Sequence, residues 1–148
     1  MTNSTYYVWG ADLSGELDGA GGVGGLLMVV KDGVTYYPIC DANGNIREYL
    51  DSNGLSVAQF VYTPFGELVA SCGTMKDSFA LRFSSKYFDK ETSMYDYGRR
   101  FYHPWYGRWI SRDPIGIRGG LNEVGFVEND AINYFDVLGQ KTRNFAAE

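Results

Sequence analysis

Asp41-Ala-Asn-Gly44-Asn-Ile46, Asp51-Ser-Asn-Gly54-Leu55 and Thr63-Pro-Phe-Gly66-Glu-Leu68 are three versions of one local signal. In the first two, glycine follows aspartate by three residues. The aspartate carboxylate accepts from backbone two residues on, and glycine takes the positive φ that the turn requires. Looser versions recur at Asp89-Lys-Glu-Thr92, His103-Pro-Trp-Tyr-Gly107, Asp113-Pro-Ile-Gly116 and Asp136-Val-Leu-Gly139. Between the turns, residues 34–39, 46–50, 57–62 and 68–71 are short runs rich in Val, Ile and Tyr, which suit a pleated, half-buried strand. Turns at this spacing, with weak helical periodicity throughout, predict an all-β chain of consecutive antiparallel hairpins. Residues 94–102 read as one further strand, with Gly98 as a bulge or a close backbone contact. A short helix or turn is expected at 121–127.

Composition agrees. The 148 residues are 45% hydrophobic and 16% aromatic, too apolar for a disordered chain. Nineteen glycines without a three-residue period exclude collagen and fit short strands joined by tight turns. Net charge is −5, which argues against a general nucleic-acid binder. The charge is uneven: residues 1–30 carry Asp12, Glu16 and Asp18 and no basic residue, whereas 82–120 carry eight Lys/Arg against four Asp/Glu. The ten aromatics of 83–109 lie among those basic residues, and covering a sheet is their simplest use.

Cys40, Cys72 and the single His103 are too few for a four-ligand zinc site, so no metal or other cofactor is expected. The two cysteines are read as free buried thiols. The run at 26–30 is the longest apolar stretch and is far short of a bilayer span of about 20 residues. The first ten residues have no signal-peptide pattern. The glycine segment 19–25 formally contains G-x-G-x-x-G, but a strand and a turn follow it rather than a helix. It is read as a flexible turn before a strand and not as a nucleotide loop.

The C-terminal half carries a more specific pattern. It runs Tyr87-Phe-Asp-Lys-Glu-Thr-Ser-Met-Tyr-Asp-Tyr-Gly98, then Arg100-Phe-Tyr-His-Pro-Trp-Tyr-Gly-Arg-Trp-Ile-Ser-Arg-Asp-Pro-Ile-Gly116. With Tyr62-Thr-Pro-Phe-Gly66 before it, this resembles the RHS-repeat-associated core domain of bacterial RHS/YD-repeat proteins of polymorphic-toxin type. The likeness covers about residues 6–140. It implies YD-type hairpins at 6–80, the RHS-associated core at 81–140 and a short tail at 141–148. The hairpins would form a curved, spiralling sheet, a fragment of a cocoon-like shell around a C-terminal toxin. The partners implied are that toxin, or the remaining YD-repeat shell of a longer parent protein, with self-association through open sheet edges. The resemblance also implies a bacterial protein, cytoplasmic until export or secreted as part of a larger one.

In many members of the family the core frees the toxin by aspartyl autoproteolysis at paired D-P-x-G-L motifs. Here the motifs correspond to Asp113-Pro-Ile-Gly-Ile117 and Asp136-Val-Leu-Gly-Gln140, with the two aspartates 23 residues apart as the pattern requires. Asp113 and Asp136 are therefore the expected acid/base pair, Arg112 the supporting cation, and Gln140–Lys141 the bond to be cut. Val137 in place of proline and Gln140 in place of leucine depart from the pattern. Two readings stay open. One is a shell and plug module whose aspartyl site is active or vestigial. The other is a purely structural, or carbohydrate- or protein-binding, β-repeat module in which Asp113 and Asp136 only build turns.

Overall fold

The structure is a computed structural model and describes residues 4–140 and 142–144. Six strands follow one another in a single antiparallel meander: β1 (Thr5–Trp9), β2 (Leu26–Lys31), β3 (Val34–Cys40), β4 (Ile46–Leu50), β5 (Ser56–Tyr62) and β6 (Leu68–Cys72). A four-stranded antiparallel sheet follows, made of β7 (Tyr87–Asp89), β8 (Met94–Asp96), β9 (Phe101–His103) and β10 (Arg108–Trp109). β11 (Tyr134–Asp136) and β12 (Thr142–Asn144) form a separate pair. The remaining regular elements are three short 3-10 turns, and the described residues contain no α-helix.

The repeated turn has one chemistry. Asp41 Oδ1 accepts from the amides of Asn43 and Asn45, both at 3.0 Å, and Gly44 donates to the Asp41 carbonyl at 3.0 Å. Gly44 sits at φ +73°, where a side chain would be strained. Asp51 repeats the arrangement with Asn53 and Leu55. Thr63 does so with its hydroxyl, which accepts from the Glu67 amide at 3.1 Å. Register shifts interrupt the β3–β4, β4–β5 and β5–β6 ladders near these turns. Such bulges bend and twist a sheet locally.

Residues 94–102 are not one strand. Tyr97 N donates to the Arg100 carbonyl, and Asp96 Oδ1 accepts from the Gly98 amide at 2.7 Å, so the chain reverses between β8 and β9. Gly98, at φ +92°, is therefore a hairpin residue rather than a bulge. The alternation that suggested a continuous strand came from two short strands and their turn. The expected helix or turn at 121–127 is mostly irregular, with 3-10 turns at Gly116–Gly119 and Val127–Asn129. The glycine segment is a chain of turns leading into β2, as the sequence suggested.

One face of the large sheet buries Leu26, Val29, Tyr36, Ile46, Tyr49, Ala58 and Phe60 beneath Phe79 and Leu81. Phe79 stacks on Tyr49 with ring centroids 3.9 Å apart. Arg82 fastens this cover. It is buried, donates to the carbonyls of Phe79 and Lys76, and lies between the rings of Phe60 (4.7 Å) and Phe88 (5.0 Å). A second core joins Phe83, Tyr95, Tyr97, Tyr102, Trp109, Phe126 and Val127. A third is small: Ala20 and Val23 of the glycine segment pack on Phe135 of β11. It brings the glycine segment, near the start of the chain, against the C-terminal strand pair.

Both cysteines are free, but they are not both buried: Cys40 is half-buried and Cys72 exposed. Cys72 points out from an edge strand and donates to Gln59 Oε1 at 3.2 Å. Cys40 packs against the core of the large sheet, whereas Cys72 does not.

Candidate functional site

Asp113 and Asp136 both begin turns of the repeated kind. Asp113 Oδ1 accepts from Ile115 N at 2.9 Å, and its carbonyl accepts from Gly116 N at 2.9 Å. Asp136 Oδ1 accepts from Gly139 N at 2.5 Å and Gln140 N at 3.1 Å. Burial sets them apart from the turn aspartates of the large sheet, although Asp12 of Asp12-Leu-Ser-Gly15 is buried as well. Asp136 is only 2% exposed and Asp113 9%, whereas Asp41 and Asp51 are half-buried.

The residue that connects the two motifs is Arg100, in the turn between β8 and β9. Its guanidinium donates to Asp113 Oδ2 at 3.0 Å in a buried ion pair, to the Glu123 carbonyl at 3.0 Å, and to the Gly139 carbonyl. The plane also lies 4.3 Å from the Trp109 ring centroid. Five donors in a fixed fork let one arginine make all these contacts. Burial lowers the Arg100 pKa, against the opposing pull of Asp113 and Asp136. Arg112, which its place beside Asp113 suggested, points away. Its side chain is 86% exposed and meets Glu123 at 3.9 Å. Adjacent side chains in an extended segment point to opposite sides, so burying Asp113 turns Arg112 outward.

The 136–140 segment has a second anchor. Lys86, just before β7, is buried and donates through Nζ to the carbonyls of Val137 (2.8 Å) and Gly21 (2.7 Å). Arg99 N adds a backbone bond to the Leu138 carbonyl at 3.2 Å. The glycine segment that faces Lys86 is itself held by Asp12. This carboxylate accepts from Ser14 N, Ser14 Oγ, Ala20 N and Gly22 N at 2.6–3.0 Å. Burial would raise the Asp12 pKa, but these donors outweigh it and hold the carboxyl below the usual aspartate range. Gln140 donates to Asp136, and Lys141, its expected partner in the scissile bond, lies outside the described residues. His103 ends β9 with its ring 4.5 Å from that of Tyr106.

Sequence reasoning missed Arg100 and Lys86. Each is a cation within an aromatic run, and such positions read equally well as solvent-exposed. The available signal was that both occur inside the stretch that covers the sheet, where an unpaired charge is costly.

The fold and these contacts define a module of hairpin repeats with the 136–140 segment pinned against it. The family model of the Teneurin YD-shell matches residues 21–118, and the chain belongs to that family. It is 36% identical over 93 residues to toxin subunit YenC2 of Yersinia entomophaga, which covers 61% of this chain and 10% of that protein. It is 32% identical over 117 residues to salivary gland surface protein 1 of Aedes aegypti, covering 78% of this chain and 3% of that protein. Among solved structures, the TcdB2-TccC3-Cdc42 crystal structure superposes with a TM-score of 0.76 at 25% identity, over 95% of this chain and 7% of that one. The Tc holotoxin pore of Photorhabdus luminescens gives 0.78 at 24%, over 96% and 7%. The chain thus spans a tenth or less of these relatives. It is a shell module of the YD type, with the all-β hairpin architecture of the Tc toxin shell.

Proposed function

We propose that this module forms part of the wall and plug of a longer RHS/YD-type, toxin-like protein, and that Asp113 and Asp136 are its self-cleavage pair, acting slowly on the Gln140–Lys141 bond. The observation that carries the proposal is the Arg100 fork. It joins the Asp113 carboxylate to the Gly139 carbonyl, one peptide before that bond, while Asp136 accepts the Gly139 and Gln140 amides. Both aspartates are thus tied to the same short segment. In the reaction one carboxylate takes a proton from water, and the hydroxide adds to the Gln140 carbonyl carbon. The other carboxyl, protonated, gives its proton to the Lys141 nitrogen as the C–N bond breaks. Arg100 takes the orienting role that the resemblance suggested for Arg112. The segment beyond Gln140, together with any toxin that follows it in a longer parent, is the released product.

Slow cutting follows from the local chemistry. Asp136 accepts from the Gly139 and Gln140 amides and Asp113 from Arg100 and Ile115 N, so a water must displace an existing donor to reach either carboxylate. Val137 lacks the fixed φ of the family's proline, and a misplacement of 1 Å can cost on the order of a hundredfold in rate. The intact mass of the purified chain, followed over days, tests this. Gradual loss of 141–148, abolished by Asp113→Asn and by Asp136→Asn, is expected. A mass that never changes defeats the catalytic part and leaves the structural reading. That second reading is favoured by one observation: both aspartates accept from backbone amides of their own turns, as Asp41 and Asp51 do.

A further inference from the structure

We propose that Lys86 is a positioning residue: its ammonium clamps the Val137 carbonyl to the Gly21 carbonyl and so fixes the segment that presents the 140–141 bond against the glycine loop. The functional meaning of the clamp rests on the self-cleavage reading above; its existence as a local restraint does not.

The two acceptors belong to segments far from Lys86 and far from each other in sequence, and nothing local requires a lysine between them. The contact surface is otherwise built for close approach. Gly21 has φ +64°, and a Cβ there would clash with the Val137 carbonyl oxygen and sit 2.7 Å from a Val137 methyl. Only glycine lets the two backbones meet, and the two facing carbonyls then need a shared donor. A buried carbonyl pair without one would be mutually repulsive and unsatisfied. An ammonium supplies two charge-assisted bonds from a single atom.

The surroundings suit a cation. The Nζ lies 5.3 Å from the Tyr97 ring centroid. Asp136, Asp18, Asp12 and Asp96 all favour its charged form, Asp136 most strongly. Burial works against them and brings the Lys86 pKa down to about 8, so the group still carries its proton at neutral pH. Asp136 therefore faces a cation on each side of its motif: Arg100 reaches the carbonyl of Gly139, and Lys86 that of Val137. The turn that supplies one of the proposed catalytic carboxylates is held from both ends. The glycine segment gains a purpose that its sequence did not disclose. It is the stationary jaw, itself locked by the four bonds to Asp12.

The test is amide hydrogen exchange on the full chain, read at Gly139 and Gln140, whose amides bond Asp136 and lie before the proposed cut. In Lys86→Met these amides should exchange about ten- to a hundredfold faster, as expected for losing charge-assisted bonds, while β4 and β5 stay unchanged. Lys86→Arg, which keeps several donors, should restore much of the protection; a side chain that acted only by filling space would gain nothing from the charge. If Lys86→Met does not fold, Gly21→Ala decides, because it drives the jaw off Val137 while leaving the lysine in place. It should expose the same amides. Unchanged protection of Gly139 and Gln140 in a folded variant overturns the clamp. Where the wild type cuts itself, Lys86→Met should slow cutting at least tenfold. A wild type that never cuts, but loses protection in Lys86→Met, removes the cleavage reading and leaves the clamp standing.

Discussion

Replacing Arg100 with methionine isolates the energetics of the buried pair. The Arg100 and Asp113 side chains are 3% and 5% exposed, and their ion pair is 3.0 Å long. Removing one partner of such a pair leaves an uncompensated buried charge and costs about 3–5 kcal/mol. Here Asp113 would keep only the Ile115 amide on its other oxygen. The Gly139 carbonyl would also lose the Arg100 donor, and the Glu123 carbonyl would keep only the Asp113 amide. We therefore expect Arg100→Met to fall at the upper end, about 4–5 kcal/mol, a large part of the total stability of about 5–15 kcal/mol typical of small proteins. Asp113→Asn should cost less, about 1–3 kcal/mol, because Arg100 keeps both carbonyls and the Trp109 ring. The double variant should cost less than the sum of the singles by at least 1 kcal/mol, because the second change removes the charge that the first one orphaned. Urea unfolding followed by tryptophan fluorescence measures all three, since Trp109 lies fully buried against Arg100. Strict additivity, within about 0.5 kcal/mol, would refute the reasoning, since residues in direct contact should couple.

Other consequences concern distinct parts of the chain. Asp12 has a folded pKa below its unfolded value, so its stabilising contribution is fully present above about pH 4 and is lost as pH falls through the folded pKa. Asp12→Ala should cost about 2–4 kcal/mol near neutral pH by orphaning the Ala20 and Gly22 amides. It should also flatten the acid limb of the stability curve, and an unchanged acid limb would contradict this. Under a thiol reagent, exposed Cys72 should react first. Cys40 should lag, because burial pushes its thiol pKa up; equal rates in the folded chain would count against this placement. The large sheet ends in β1 and β6, whose outward residues include Tyr6 and Val69, each 64% exposed. Edge pairing should give concentration-dependent association that Val69→Lys weakens, and light scattering from a clean monomer at high concentration would exclude it.

The amino-acid order by itself determined β2 to β6 of the first sheet and the turns between them, but not β1. An Asp or Thr that bonds its own following amides, and a glycine three residues later, make the β3–β4, β4–β5 and β5–β6 reversals local events. Runs such as 34–39 and 57–62 then had only one way to pair with their neighbours. The same local logic failed at 94–102, where a reversal without the full turn signature hid inside an alternating pattern. It also marked Asp113 and Asp136, because their motifs are turns as well. It had no means of separating them from Asp41 and Asp51, since burial is a property of the assembled cores. Only the tertiary structure chose Arg100 over Arg112 and brought Lys86 between Gly21 and Val137. Those choices depend on which cation the aromatic layer buries. A buried charge must find its partners wherever packing brings them, however distant they are in the chain.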